Sequence, residues 1–364
     1  MARAVAITSA SPLTTTPIAV TLTGTSTDKP DGSTTTALTA TTANGVVTTS
    51  FNSASSTSDV AAGQTIKAIT APVITSTDSH IPAATGVMEI QNFAPAVGLQ
   101  YTSFGTWDLA ASTSAPIAYY AGVFAGGDVG DITATMPTTG SASYAGGATG
   151  FALTGGNAYR FYGATALTAN FATNAITGNI TGINAYATGG SGPTSPLGTM
   201  NSIALSGTIS GSLFSGTASA SATAGTAVNI TGATGTLNGG FFGPNAAETS
   251  GVFDLSGAGI AVMGSFGTTK VPSDRRLKVD IRPVAIRPDG LKFYSWRYRG
   301  GHGRFVGVMA QDLLADPRFS AAVTPGRDGW YRVDYARLGY MPPNLPRMSV
   351  EGEAAAARYR KAAH

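Results

Sequence analysis

The sequence contains no cysteine among its 364 residues. This absence excludes disulfide bonds, thiolate metal sites and a lipid attached to a cysteine of this chain. Charged residues are scarce as well, at 11%, whereas soluble domains typically carry about 25%. Thr, Ser, Asn and Gly must therefore cover most of the surface, which is typical of secreted or surface β proteins rather than of cytosolic helical enzymes.

Long hydrophobic runs are also missing. No run approaches the roughly 18 apolar residues of a membrane helix, so we expect no transmembrane segment. The start of the chain, Met1 to Val5, leads into no apolar stretch of the roughly 7–15 residues that a secretory signal needs. A location at the cell surface or outside the cell would then require processing before this start, a misplaced start or another route of export.

Histidine is rare, and the chain has no phosphate-binding loop, dinucleotide fingerprint or His-rich metal motif. We therefore predict no cofactor and no metal site. Asp128 and Asp131 share a Gly-rich run but lack the repeat of a calcium-binding segment, so an ordinary hairpin turn is favoured. His302 lies in a Gly-rich loop that we expect to be exposed.

Charge is distributed unevenly along the chain. The net charge is −6 before Lys270 and +9 from Lys270 onward. Such a split predicts two modules with different partners. The basic residues of the second part alternate with acidic and aromatic residues, which favours a solvated face over a nucleic-acid-binding one. We expect no nucleic acid among the partners.

What the sequence has in quantity is glycine and short alternating runs. Between residues 95 and 269, apolar and polar residues alternate in segments such as 159–163 and 203–209, with glycine between segments. This pattern predicts an antiparallel β-sandwich or barrel, and closure would remove exposed sheet edges. Residues 1–94 are rich in Thr, Ser and Ala with few large apolar side chains, so a low-complexity linker and a loose β extension both stay open.

One stretch of this region has a more specific pattern. It contains Gly240-Phe241-Phe242-Gly243-Pro244, Ala246-Ala247-Glu248, Gly251-Val252-Phe253 and Gly264-Ser265-Phe266-Gly267. These motifs resemble the C-terminal barrel of the transferrin-binding-protein B-like family. The resemblance implies an eight-stranded antiparallel β-barrel over residues 95–269. It also implies a place on the exterior of a Gram-negative outer membrane, and an unknown surface ligand or host protein as partner, since some members capture host iron proteins or haem. This chain has only one barrel-like unit, so transferrin binding itself is not implied.

Several residues of the body could suggest a site, but a structural role is favoured for each. Asn245 and Glu248 are expected to satisfy the turn in which they lie. The aromatic side chains, Trp107 among them, are expected to fill the barrel. No motif in the body names its ligand.

After Lys270 the pattern changes to that of a small α+β module. Residues 291–298 predict a strand, 305–314 a buried strand that runs into a helix, and 329–335 a further strand. Asp316-Pro317 is expected to end the helix, because the residue before a proline avoids helical conformation.

Four motifs occur in a fixed order in this module. They are Ser273-Asp274-Arg275-Arg276-Leu277-Lys278, Tyr294-x-Trp296-x-Tyr298, Gly307-Val308-Met309-Ala310-Gln311-Asp312 and Val333-Asp334-Tyr335. Residues 270–340 thereby resemble the intramolecular chaperone domain of endosialidases and other phage tail spikes. The resemblance implies a module that trimerises and assists the folding of the β-rich chain before it. In many members this module also cuts itself off, as a serine autoprotease, just before the serine.

The resemblance assigns the catalytic roles to Ser273 and Lys278. A serine hydroxyl needs an adjacent base, and lysine can serve if burial lowers its pKa toward neutrality. Their spacing places them about 140° apart on an ideal helix. Ser273 must therefore precede the helix, or the partner must come from another subunit. The alternative makes Ser273 or Asp274 a helix N-cap and leaves Lys278 a solvated cation.

The end of the chain departs from the family. Many members continue into a long helix that builds a trimeric stalk, whereas residues 341–346 contain three prolines. Residues 341–364 thus predict a Pro-rich break followed by a short helix over 351–361. Self-association as a homotrimer is expected to rely on contacts within the module itself.

The leading hypothesis is a bacterial surface or secreted protein with a binding or structural β-barrel and a C-terminal tail-fibre-type chaperone. That chaperone either cuts before Ser273 or has lost the ability to do so. Two alternatives stay open: a phage-derived trimeric tail-fibre or adhesin protein, and a surface protein that binds a solute or an iron protein. The corresponding enzyme hypothesis is an autoproteolytic serine peptidase with a Ser–Lys dyad.

Overall fold

Strands dominate the chain in its computed structural model, in two β bodies followed by a small α+β module. The structure describes residues 2–8, 14–16, 21–28, 34–42, 45–52, 57–61, 64–78, 86–110, 118–188, 195–326, 329–340, 342 and 345–360. Most of the described residues among 1–94 lie in strands.

The first body is a ten-stranded antiparallel sheet. Its strands are β1 (Ala2–Thr8), β2 (Thr14–Thr16), β3 (Thr21–Asp28), β4 (Thr34–Thr42), β5 (Gly45–Asn52), β6 (Thr57–Ala61), β7 (Gln64–Ser76), β8 (Val87–Asn92), β9 (Ser103–Ala110) and β10 (Ala118–Gly126). They run in the order β2-β1-β10-β9-β8-β7-β5-β4-β3, and β6 pairs with β7 outside this path. One helical turn, α1 (Ala94–Val97), connects β8 to β9.

The second body is a closed antiparallel barrel. Its strands are β11 (Ser141–Thr154), β12 (Asn157–Asn170), β13 (Ala175–Ala187), β14 (Gly198–Thr199), β15 (Ile203–Ser210), β16 (Leu213–Ala220), β17 (Thr234–Phe242), β18 (Glu248–Gly257) and β19 (Ile260–Thr269). The ring closes because β11 pairs with β19 and β12 pairs with β13, whereas the short β14 only adds to β13. The prediction of a mainly β chain with an eight-stranded barrel is confirmed.

Side chains fill the interior of this barrel. Its buried aromatic members are Tyr144, Phe161, Phe171, Phe214, Phe241, Phe253 and Phe266. Aliphatic residues such as Ile176, Ile203 and Leu237 complete the same cluster. Alternation along each strand turns one set of side chains inward, which is why the period-2 pattern was visible in the sequence.

The barrel begins later in the chain than the sequence prediction of residue 95. Strands β9 and β10 belong to the ten-stranded sheet, and the first barrel strand starts at Ser141. Both bodies alternate small and apolar residues, so periodicity alone could not separate them. Trp107 is buried in the sheet rather than the barrel; its indole lies against Gly122, where a Cβ would come within 2.3 Å of the ring.

The sheet packs on the outside of the barrel, which explains why β11 and β19 are buried on both faces. Gly267 admits the ring of Phe104, since a Cβ there would lie 2.4 Å from it. Ser265 Oγ donates to the carbonyl of Gly105 at 2.9 Å. The ion pair between Arg160 and Asp108, at 2.5 Å, joins the same two bodies.

Glu248 ties the sheet to the barrel from the first position of β18. Its carboxylate accepts backbone N–H groups from Gln100 (2.7 Å), Tyr101 (3.0 Å) and Thr102 (3.2 Å), which form the loop before β9. The side chain is buried. Glu248 therefore organises a loop of the other body, a larger structural role than the local turn expected from the sequence.

Stability of this junction should fall as pH rises. Burial raises the pKa of Glu248 to about 7, although its hydrogen bonds with backbone N–H groups oppose the shift. A carboxyl whose folded pKa exceeds its unfolded value contributes stability at low pH that is lost as pH rises through about 7. The free energy of unfolding, measured by urea titration, should be up to about 3 kcal/mol higher at pH 5 than at pH 8. Glu248→Gln should remove most of that difference; an equal difference in the variant would contradict the assignment.

The C-terminal module contains two three-stranded sheets. Its elements are β20 (Val271–Pro272), β21 (Lys278–Ile286), β22 (Lys292–Tyr298), β23 (Arg304–Gly307), α2 (Ala310–Leu314), β24 (Val323–Pro325), β25 (Tyr331–Val333) and α3 (Leu345–Arg360). One sheet has the order β21-β22-β23 and the other β20-β25-β24. Helix α2 ends before Asp316-Pro317, as predicted.

The last helix starts at Leu345, six residues earlier than the predicted start at 351. Pro346 lies in its first turn, where a missing N–H breaks no helical hydrogen bond. The helix packs against the barrel, and Ser349 Oγ donates to the carbonyl of Ala145 at 3.4 Å. Among the helices that the structure describes, none combines the length and apolar character needed to cross a membrane.

Candidate functional site

Ser273 and Lys278 meet at the point where the barrel ends and the module begins. Asp274 is the N-cap of a 3₁₀ turn over Arg275–Leu277, and its carboxylate accepts from the N–H of Arg276. Ser273 precedes this turn, and Lys278 follows it as the first residue of β21. The turn reverses the chain, so that Lys278 Nζ lies 3.1 Å from Ser273 Oγ. Both residues come from the same chain.

Lys278 is buried rather than solvated. Its Nζ donates to the carbonyl of Val308 at 2.8 Å and lies 3.7 Å from the centre of the Trp296 ring. Burial lowers the pKa of Lys278 well below its ordinary value, and Asp274 only partly offsets this effect. An amine with a lowered pKa is available as a neutral base at lower pH than an exposed lysine.

Ser273 is fully buried and held from several sides. Its Oγ lies 3.1 Å from the hydroxyl of Tyr335 and 3.3 Å from the carbonyl of Val308. Its own N–H donates to Tyr331 O at 2.9 Å, and its carbonyl accepts from Ala310 N at 3.0 Å. These bonds fix the peptide on both sides of Ser273.

The peptide bond before Ser273 is buried as well. Pro272 ends the short strand β20, which pairs with β25 in register with Arg332. The hydroxyl of Tyr298 donates a short hydrogen bond to the carbonyl oxygen of Pro272. A serine hydroxyl, a buried amine and a donor to the preceding carbonyl therefore surround one peptide bond.

Asp274 holds the turn in place through several hydrogen bonds. Its carboxylate accepts from Arg276 Nε at 3.0 Å, Gln311 Nε2 at 2.7 Å and Tyr331 N at 3.2 Å. Burial alone would raise the pKa of Asp274, but these hydrogen bonds outweigh it and lower the pKa. The carboxylate stays ionised close to Lys278 and positions the turn without touching the serine hydroxyl.

The downstream motifs supply the remaining walls of the site. Gly307 leaves room for Tyr335 and Trp296, because a Cβ there would come within 2.6 Å of the tyrosine hydroxyl and 2.7 Å of the indole. Tyr298 and Val308 come from two of the same motifs. In the sequence these motifs were visible as a pattern, but Tyr298 and Val308 had no assigned role. In the folded chain Tyr298 contacts Pro272 and Val308 contacts Lys278.

A basic cleft of about 630 Å³ opens beside the dyad. Its lining consists of Arg275, Arg276, Lys278, Ile281, Arg299, Gln311 and Tyr331. Arg275 pairs with Asp312 at 2.9 Å, and Arg276 pairs with Asp274 at 2.8 Å. Lys278 is the member of the dyad that lines this cleft.

Other residues considered as sites lie apart from the dyad. His302 is exposed in its loop, as expected. Asp131 ends a 3₁₀ turn over Val129–Asp131, and its N–H donates to Asp128 O at 2.9 Å. Within the described part of the chain, His, Asp and Glu residues form no group of three or more that could hold a metal ion.

Two family models match the chain. Residues 136–270 match the model for the C-lobe and N-lobe β-barrels of transferrin-binding protein B. Residues 273–324 match the model for the chaperone of endosialidase. Both resemblances seen in the sequence are confirmed, and the boundary between the two matches falls at the Ser273 site. None of the curated proteins matches the chain.

Solved structures of transferrin-binding protein B are among the structural neighbours. A double mutant from Haemophilus parasuis is 17% identical, with 71% of this chain and 46% of that chain covered and a TM-score of 0.40. Intact Ap-TbpB, with N and C lobes, is 12% identical over 66% of this chain and 67% of that chain, at a TM-score of 0.37. A mutant from Actinobacillus pleuropneumoniae is 18% identical, with 47% of this chain and 77% of that chain covered and a TM-score of 0.32. By its family matches, the chain is similar to transferrin-binding protein B barrels over residues 136–270 and to the endosialidase chaperone over residues 273–324.

Proposed function

We propose that the C-terminal module is an intramolecular chaperone that cuts the chain between Pro272 and Ser273. The observation that carries this proposal is the buried amine of Lys278, 3.1 Å from Ser273 Oγ, beside a fixed Pro272 carbonyl. The alternative, in which Lys278 is a solvated cation after a capped turn, does not account for the burial of its side chain. The family match over residues 273–324 supports a chaperone role for the same segment.

The reaction has two steps. Lys278 takes the proton of Ser273 Oγ, and the oxygen attacks the carbonyl carbon of Pro272. The C–N bond breaks as Lys278 returns the proton to the nitrogen of Ser273, leaving an ester and a free amine. Water then attacks the ester, which yields the carboxylate of Pro272 and restores the serine hydroxyl. No cofactor takes part in either step.

Ser273→Ala should keep the chain whole, because the variant has no nucleophile. The wild-type chain should separate into two fragments on a denaturing gel, with the new N-terminus at Ser273. Ser349→Ala is the matched control, since it removes another buried serine hydroxyl of the module away from the dyad. A wild-type chain that stays whole beside an equally whole Ser273→Ala chain rules out self-cleavage.

We propose further that the sheet and barrel form a binding or structural unit at the cell surface. The family match of the barrel supports this role. Because side chains fill the barrel interior, a ligand would bind the outer surface or the loops, as a protein partner does.

The alternative of a trimeric tail-fibre or adhesin protein is favoured by the edge strand β21, which exposes Val284 and Ile286. A trimer mass in solution would support that alternative.

A further inference from the structure

We propose that Tyr298 is a catalytic residue of the cleavage, acting on the carbonyl oxygen of Pro272; this inference rests on the proposed self-cleavage. When Ser273 Oγ attacks, the carbonyl oxygen takes negative charge. A hydroxyl that already donates to that oxygen stabilises the charge as it develops. The Tyr298 hydroxyl makes this contact in the uncut chain.

The surroundings of Tyr298 hold its hydroxyl in place. The side chain is fully buried on β22. The rings of Trp296 and Tyr298 pack edge to face with their centres 6.3 Å apart, and the centre of the Phe305 ring lies 5.8 Å from that of Tyr298. On the remaining side, Gly352 of α3 leaves no spare space, because a Cβ there would lie 3.0 Å from the ring and 3.1 Å from the hydroxyl oxygen. The donor is therefore preorganised and needs no movement during the reaction.

The two tyrosines of the site contact different oxygen atoms. Tyr335 contacts the serine oxygen, at 3.1 Å, whereas Tyr298 contacts the oxygen of the bond that breaks. Burial raises the pKa of Tyr335, so its hydroxyl stays protonated beside the nucleophile. Tyr298 is therefore placed to stabilise the oxyanion of both steps, attack by serine and attack by water.

A structural explanation of Tyr298 makes a different prediction. If its hydroxyl only satisfied a buried carbonyl, its loss would lower stability but leave the cleavage rate of the folded chain unchanged. The catalytic role requires a fall in rate that exceeds any loss of folded protein. The fall should be the same at every pH, because Lys278 and not Tyr298 sets the pH dependence.

The test is the cleavage rate of the full-length Tyr298→Phe chain, followed after a pulse of labelled cell-free synthesis. We expect a fall of about 10²–10³-fold, the usual effect of removing one oxyanion donor, with an unshifted pH profile. The double variant Tyr298→Phe with Ser273→Ala cannot cut, so its thermal unfolding reports folding separately. Tyr294→Phe removes another tyrosine hydroxyl of β22, one that donates to Asp312 and not to Pro272, so this control should cut at close to the wild-type rate.

The outcomes separate this inference from the proposed function. Wild-type and Tyr298→Phe chains that cut equally fast would overturn the role of Tyr298 and leave self-cleavage intact. A wild-type chain that never cuts would overturn both. If Tyr298→Phe fails to fold, 4-aminophenylalanine at position 298 keeps the ring shape with a weaker donor. That variant should cut about 10-fold more slowly, and an unchanged rate would again overturn the role.

Discussion

Replacing Lys278 with methionine is expected to slow cleavage after Pro272 by about 10²–10⁴-fold, the usual contribution of a general base. Methionine fills a similar buried volume but cannot accept a proton. Because Lys278 has a pKa well below its ordinary value, the wild-type rate should rise with pH and level off below the pKa of an exposed lysine. The measurement is the fraction of cut chain against time, at several pH values, after pulse-labelled synthesis.

Lys270 offers a matched control for this prediction. It is also buried at the junction, its Nζ donates to Asn245 O at 3.0 Å, and burial lowers its pKa to about 8. It lies outside the dyad, so Lys270→Met should cut at close to the wild-type rate. If Lys278→Met cuts as fast as Lys270→Met, Lys278 is not the base.

Glu248→Ala is expected to destabilise the body by about 3–5 kcal/mol. The substitution removes the acceptor of three backbone N–H groups at once, and each buried donor left unpaired costs about 1–3 kcal/mol. The loop that carries Gln100, Tyr101 and Thr102 would partly rearrange toward water, which limits the total. Urea unfolding of the Ser273→Ala chain at pH 7, followed by far-UV circular dichroism, measures the change.

Asp254→Ala is a suitable comparison for Glu248→Ala. Asp254 lies on the same strand, β18, and accepts from the exposed Thr236 Oγ1 at 2.5 Å. An exposed hydrogen bond contributes little, so this variant should lose less than about 1 kcal/mol. Equal losses in the two variants would mean that Glu248 does not hold the sheet against the barrel.

The sequence predicted the kind of fold because alternation shows directly which side chains of a strand turn inward. It did not predict the border between sheet and barrel, since β9 and β10 alternate in the same way as β11 and β12. Pairing partners are chosen by contacts between distant strands, and Gly267 beside Phe104 is one example. In the sequence, such a contact is visible only as one glycine among the 47 of the chain.

The candidate site was predictable in part. The motif that contains Ser273 and Lys278 pointed to the dyad, and Asp274 had the residue type of an N-cap. The short turn that brings the two together, and the burial of Lys278, depend on strands far along the chain. Tyr298 was visible as a motif residue, but its contact with Pro272 exists only because β20 and β22, which belong to different sheets, both pack against α3.

Native mass spectrometry of freshly made protein, followed by denaturing mass measurement of the same sample, tests the central claim most directly. Self-cleavage predicts two fragments, one ending at Pro272 and one beginning at Ser273, whose masses sum to the whole chain plus one water. The Ser273→Ala chain should give a single mass. The hydrogen bond from Ser143 N to Asp334, at 3.0 Å, and the packing of α3 on the barrel predict that the fragments stay together until denaturation. A wild-type sample that remains one uncut chain, in step with Ser273→Ala, would contradict the account.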